Sequence, residues 1–442
     1  MPTPCAKHLL ASLFAIVAVA EVVLAQLVPT GEFQANTYTI GNQASDSHVK
    51  LTCAAADGDF VVVWSSNEQD GLDNGVFGQR FASTGLRVGT EFQVNTFTLD
   101  DEREPDLCCD RDGDFVVLWH SRHDGDGRGV FGQRFTSSAS RIGDEFQVNS
   151  YTPGDQEDPS VCCNGQGGFL AVWESEGQDE DQAGIYAQRY GSSGSALGDE
   201  FQVNSYTDND QEDPAVCCAA DGAFVAVWNM EATDDLAGQR FASSGAPLGS
   251  EFVVNTYTPD VQGEPAICCS AEGDFVVAWE SYDQDGHENG VFGQRFARDG
   301  DRLGAEFQAT TFTVDDQQRP AACCDSVGNF VVTWQSYGQD AYYEGIFAQR
   351  FASNGSHLGG EFQANVYTLH AQNLPSLACD DRGGFVVVWG SFGQDGDGVG
   401  IFGRRFFVQL ASSVPVLGWA SLAVLVVLLA GFGIVRLVRL RS

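Results

Sequence analysis

Seven tryptophans keep a regular beat along this chain. Trp64, Trp119, Trp173, Trp228, Trp279, Trp334 and Trp389 stand 55, 54, 55, 51, 55 and 55 residues apart. A fixed period of this size means one supersecondary unit repeated, each copy burying its apolar face against the next. Read from Pro159, one unit holds four strand-like pieces: PSVCC (159–163), GFLAVWES (168–175), GIYAQRY (184–190) and EFQVNSYT (200–207). Aromatic and β-branched residues alternate within them, and Gly, Asp and Ser clusters separate them, which is the pattern of strands and hairpins. No segment of the repeat has helical periodicity. Four strands in each of seven units predict an all-β fold, a seven-bladed β-propeller of four-stranded blades.

The fourth strands also count seven, opening at Glu32, Glu91, Glu145, Glu200, Glu251, Glu306 and Glu361. Glu32 precedes the first Trp unit, whereas the last unit stops at IFGRRFFVQL without a fourth strand. The N-terminal strand (32–39) is therefore expected to complete the last blade and remove the open sheet edge. An open solenoid is the alternative.

The two ends of the chain carry membrane signals. Lys7 and His8 precede an apolar run, and Val23-Leu24-Ala25 offers small residues for cleavage, so residues 1–25 are expected to be a signal peptide. Residues 26–410 are the expected propeller. Val416–Val435 is twenty residues without a charge, followed by RLVRLRS, so 411–442 is expected to be a transmembrane anchor with a cytoplasmic basic tail. The formal charge is −38. A surface this acidic disfavours nucleic acid and anionic lipid as partners and favours cations, basic partners or a salty habitat.

Twelve cysteines lie in the repeats, and Cys5 lies in the signal segment. Five units carry an adjacent pair: Cys108-Cys109, Cys162-Cys163, Cys217-Cys218, Cys268-Cys269 and Cys323-Cys324. The first unit has only Cys53 and the last only Cys379. Adjacent strand residues face opposite sides of a sheet, here the preceding and the following blade. That stagger selects Cys53–Cys109, Cys108–Cys163, Cys162–Cys218, Cys217–Cys269, Cys268–Cys324 and Cys323–Cys379, which uses all twelve. The seventh junction has Ala54 and Ala378 in these places. An exported chain meets the oxidising compartment such bridges need; twelve buried thiols are the alternative.

Two loop types are acidic. The loop between second and third strands pairs carboxylates around glycine: Asp70 and Asp73, Asp124 and Asp126, Asp179 and Asp181, Asp283 and Asp285, Asp395 and Asp397. Such a loop can wrap a hard cation, so these ten are the candidate Ca2+ ligands. Asp and Gly also serve plain hairpin geometry. The connections between blades, DDEREP, GDQEDP, NDQEDP, DVQGEP and DDQQRP, are read as a second acidic loop on the same face. A repeated arginine (Arg80, Arg134, Arg189, Arg240, Arg295, Arg350, Arg405) is read as a strut, paired with the Glu that opens each fourth strand. No GxSxG or HExxH occurs, and a repeat offers every group seven times. The chain is therefore expected not to be an enzyme.

Units such as GNFVVTWQSYGQDAYYEGIFAQRFASNGSHLGGEFQANVYT resemble a repeat found in secreted and surface proteins of bacteria, over residues 31–408. The resemblance implies company with adhesin-like and calcium-binding modules. The tail from Val414-Pro415-Val416-Leu417 resembles a C-terminal sorting signal. Together these predict an exported, surface-anchored propeller that binds an extracellular glycan or protein, with Ca2+ assisting. The alternatives are a structural envelope protein or a polysaccharide-acting enzyme.

Overall fold

The computed structural model describes residues 25–44, 49–52, 58–179, 181–340 and 343–410. The expected signal peptide and the expected anchor, 411–442, lie outside them apart from Ala25. No helix among the described residues is long and apolar enough to cross a membrane. Residues 29–407 form one compact unit; of the second, made of 1–28 and 408–442, only the strand residues 25–28 and 408–410 are described.

The described residues form seven four-stranded sheets. In blade 3 the inner strand Gln156–Cys163 is followed outward by Phe169–Glu176, Ala183–Tyr190 and the short Phe201–Gln202, all antiparallel. Each inner strand packs beside the inner strands of the two neighbouring blades, from Val49–Thr52 round to Gln372–Cys379 and back, so the ring closes. The last blade takes its outer strand from the N-terminus, Ala25–Gln34.

Period-two alternation on the second strand builds the core between blades. Phe169, Ala171 and Trp173 of blade 3 pack against Val116 and Leu118 of blade 2. Leu170 and Val172 face forward, onto Phe224, Trp228 and Phe241 of blade 4. All seven repeat tryptophans are 0% exposed, so the beat is core packing. Each ring withdraws enough apolar surface to contribute several kcal/mol, on the order of the 3–5 kcal/mol that truncating a buried Trp costs.

The same two-sidedness places the cysteines. Bridges Cys108–Cys163, Cys162–Cys218, Cys217–Cys269, Cys268–Cys324 and Cys323–Cys379 span Cα separations of 5.4 to 5.6 Å. Cys109 is also disulfide-bonded; Cys53, its expected partner, lies outside the described residues.

The outer strands differ from expectation. EFQVNSYT (200–207) contributes only Phe201–Gln202 to the ladder, and the N-terminal strand ends at Gln34 instead of residue 39. The asparagine two residues beyond is responsible. Asn204 Nδ2 donates to the Tyr206 carbonyl at 2.9 Å and to Gln211 Oε1 at 2.6 Å, while its Oδ1 accepts the Ile185 N–H at 2.9 Å. Asn36, Asn149 and Asn365 repeat this arrangement. A side-chain amide that satisfies its own turn competes with the ladder and bends the chain inward.

Candidate functional site

The inner strands carry a slip in register where each approaches the ring axis. It falls between Arg103 and Asp106, Glu157 and Ser160, Glu212 and Ala215, Gly263 and Ala266, Gln318 and Ala321, and Asn373 and Ser376. At each slip a residue stands just before a proline in left-handed backbone: Glu104, Asp158, Asp213, Glu264, Arg319 and Leu374, with φ from 49° to 55°. Proline has no N–H for the ladder, so the strand must break there. Left-handed backbone costs a non-glycine residue about 1–2 kcal/mol, and bulges re-aim side chains. The six residues line a cavity of about 280 Å³ among the inner strands. The connections read from sequence as a second acidic loop thus end within the inner strand, and in four of the five their last acidic residue, Glu104, Asp158, Asp213 or Glu264, belongs to this cavity.

A second tier backs the first, formed by the residue that follows each tryptophan. Asn229 Nδ2 donates to Asp213 Oδ2 at 2.6 Å. Glu280 Oε1 accepts the Arg319 N–H at 2.5 Å, and Gln335 Oε1 accepts the Leu374 N–H at 3.0 Å. His120, 3% exposed, has Nδ1 3.2 Å from Glu104 Oε2. Arg319 Nη1 lies 3.2 Å from Glu264 Oε1.

Crowding of carboxyl groups away from water keeps several of them protonated. Burial, then a hydrogen bond and charge from Glu104, pushes Asp158 up to about 8. Burial, then the charges of Glu264 and Asp158, raises Asp213 to about 7. Glu174 rises to about 10, through burial and then Asp158 and Glu157, and Glu280 to about 8, mainly through burial. Burial lowers His120 to about 4, so its ring is neutral. At neutral pH the cavity therefore offers carboxylic acids that donate protons, beside a carboxylate ion-paired to an arginine.

The ten candidate Ca2+ ligands lie elsewhere, in the loops between second and third strands. Asp124, Asp179 and Asp285 each accept the N–H two residues on, from Asp126, Asp181 and His287, at 3.2, 3.2 and 3.3 Å. Asp397 donates its N–H to Asp395 at 3.5 Å. The other oxygen of Asp70, Asp179, Asp285 and Asp395 takes an amide from Gln93, Gln202, Gln308 and Gln34. Asp340 accepts Gln363 in the same way, which the sequence reading missed because DAYY hides its register. Asp283 belongs to a different register, at φ 57°. Asp73 has its carbonyl on the Glu68 N–H. Among the described residues, the three-group cluster close enough to share an ion is His287, Glu288 and Asp315; none is among the ten. The two acidic loop types do touch, since Arg128 N–H donates to Asp155 Oδ1 at 2.8 Å and Ala183 N–H to Asp210 Oδ1 at 2.8 Å.

The arginine row is a strut with a different partner from the one expected. Arg134 Nη1 and Nη2 donate to the carbonyls of Ser193 and Ser192 in the next blade at 2.7 and 2.6 Å; Arg189 and Arg295 do the same to Ser243 and Ser353. The glutamates expected to pair with them bind the preceding blade instead. Glu145, Glu251, Glu306 and Glu361 each accept a backbone N–H and a hydroxyl from Thr96, Ser205, Thr256 and Thr311.

No protein-family model matches the chain, and no curated protein does. Solved structures share the fold. A protein of unknown function from Dyadobacter fermentans aligns with a TM-score of 0.51 at 11% identity, over 72% of this chain and 97% of that one. A polysaccharide lyase, Uly1, aligns at 0.49 and 10% identity over 88% and 100%. An alpha-L-arabinanase from Penicillium chrysogenum aligns at 0.48 and 13% identity over 68% and 92%. At these identities the likeness is one of fold. The expectation that the chain is not an enzyme is corrected here. It assumed that a repeat offers every group seven times, yet the cavity position reads Glu, Asp, Asp, Glu, Arg and Leu in successive blades.

Proposed function

We propose that this protein is an exported propeller that binds an extracellular glycan at the axial cavity and cleaves its glycosidic bonds with the carboxyl groups gathered there. The observation that carries the reading is the concentration of blade-specific acidic residues at one strained position, in a molecule that otherwise repeats itself. Glycoside cleavage needs a carboxylic acid to protonate the leaving oxygen and a carboxylate to stabilise or attack the sugar carbon. Asp158 and Asp213, raised to about 8 and about 7, supply the acid. Glu264, ion-paired with Arg319, supplies the carboxylate. Five described interblade disulfides and the apolar N-terminal run support export.

Release of reducing ends from a panel of polysaccharides tests this. Asp158→Asn or Asp213→Asn is expected to lower the rate about 100-fold or more, and the wild-type rate to fall as pH rises above 7 to 8, where the acid loses its proton. A wild-type protein that releases no reducing ends from any polysaccharide of the panel overturns the reading.

A further inference from the structure

The residue that ends each second strand stands at the same end of its blade as the bulge. Ser281, Ser336 and Ser391 pair with Gln262, Gln317 and Gln372, two residues before the bulged position. The next residues are Tyr282, Tyr337 and Phe392, exposed by 46, 45 and 51%. Blades 2 to 4 have Arg122, Glu176 and Glu231 in this place. Three consecutive blades thus present an arc of open aromatic rings where blades 2 to 4 present charge and blade 1 presents Asn67. Large apolar side chains grouped at an open surface mark a contact site.

Each ring is anchored through its own backbone. The N–H groups of Tyr282, Tyr337 and Phe392 donate to the carbonyls of Val261, Asp316 and Ala371 at 3.0, 2.9 and 3.0 Å. His370 lies edge-on to Phe392, with ring centroids 5.8 Å apart. The arc also adjoins the cavity. Residues two apart on a strand share a face, roughly 6.6 Å from one another, and Tyr282 and Tyr337 follow Glu280 and Gln335, which hold the cavity's backbone through Arg319 and Leu374.

We infer that the arc of Tyr282, Tyr337 and Phe392 is a docking platform for an uncharged polysaccharide chain that leads into the axial cavity; the inference rests on the function proposed above. Flat aromatic faces cover the C–H faces of sugar rings while phenol and imidazole tips meet the hydroxyls, the mixed apolar and polar contact at which Tyr excels. Backbone anchoring keeps the ordering cost of binding low. Charge selects among glycans, since a chain of net charge −38 repels uronate and sulfated polymers.

Retention of the full-length, oxidised protein on immobilised neutral glucan, mannan and arabinan, beside polygalacturonate and chitosan, tests the inference. Wild-type protein should be retained by a neutral polymer and not by polygalacturonate. Tyr337→Ala and Phe392→Ala should each weaken retention about three- to tenfold, and Tyr337→Trp should restore it. Val327→Ala, at a 71% exposed position on the opposite end of blade 6, should leave retention unchanged. Equal retention of the aromatic variants, preference for polygalacturonate or chitosan, or no retention on any polymer overturns the arc. Cleavage that persists in those cases leaves the cavity reading standing; retention by the arc without cleavage overturns the cavity reading alone.

Discussion

Glu200 reaches back across a blade boundary to Ser150, accepting its N–H at 2.6 Å and its hydroxyl at 3.0 Å through one oxygen. The other oxygen takes the Gln178 amide at 2.6 Å. The motif recurs round the ring, and its last member is Glu32, which holds the N–H of Val366, 334 positions further along the chain. Each blade is therefore clasped to its predecessor at the outer rim, while the disulfides staple the inner strands.

Removing one clasp has a modest cost because its site is partly solvated. Glu200→Ala is expected to lower unfolding free energy by about 1–2 kcal/mol, and Ser150→Ala by less, since its N–H remains. Urea unfolding of both variants and the double variant should show coupling; additive losses would contradict the clasp.

Glu102 stands where other blades have Gln156, Gln211, Gln262, Gln317 and Gln372. It is 0% exposed and takes hydrogen bonds from Asn95 at 3.1 Å and Ser121 at 3.2 Å; burial, opposed by the Ser121 bond, raises it to about 9. The folded state keeps a proton that the unfolded chain loses near pH 4.5, so stability falls between pH 4.5 and 9, by about 1.4 kcal/mol per pH unit for this group. Glu102→Gln keeps the shape without the proton. At pH 8, 3.5 units above the unfolded value, it should raise stability by up to about 5 kcal/mol, and at pH 4 it should change little; equal effects at both values would contradict a protonated Glu102.

The same sign governs two acids of the cavity and two of the tier behind it. Asp158, Asp213, Glu174 and Glu280, with folded values of about 8, 7, 10 and 8, all lose stabilisation as pH rises from about 4.5 through those values. His120 acts oppositely: lowered to about 4, it loses stabilisation as pH falls from 6.5 through 4. Because these acids outnumber the one histidine, thermal unfolding across pH 4 to 10 should peak near pH 4 to 5 and decline towards alkali.

Arg405 differs from the other arginines of its row. It is 2% exposed, and it donates to Asp380 Oδ2 at 2.7 Å and to the Gly58 carbonyl at 2.9 Å. Arg405→Ala strands the nearly buried Asp380, for which about 3–5 kcal/mol is expected, whereas Arg134→Ala, at a more exposed site, should cost about 1 kcal/mol. Denaturant midpoints of the two variants measure the difference.

Each described disulfide closes a loop of 52 to 56 residues. Chain entropy puts each at about 4 kcal/mol. Cys323→Ala with Cys379→Ala should lower the unfolding midpoint markedly, and peptide mapping without reductant should recover Cys108 joined to Cys163. Recovery of Cys108 joined to Cys109 would contradict the bridges.

Some features were legible residue by residue. Trp173 shows its burial through a beat its six counterparts share, and Cys108 and Cys109 show their facing through alternation along one strand. Other features were hidden. Asn204 makes a turn out of half of an apparent strand, and only its contacts with Gln211 and Ile185 reveal this. Glu200 and Arg189 pair by sign and spacing in the linear chain, yet each binds a different neighbouring blade. Asp158 and Asp213 read as loop residues because a proline follows them, although that proline marks the bulge that turns them towards the cavity.

The sequence by itself determined the repeat, the all-β blade, the count of seven and the stagger of the cysteines, because local alternation and a fixed period are properties of the chain taken in order. Tertiary structure alone decided which acids gather at the axis, which of them keep their protons and where the aromatic arc lies. Those properties depend on desolvation and on neighbours some fifty residues apart, and neither exists until the ring has closed.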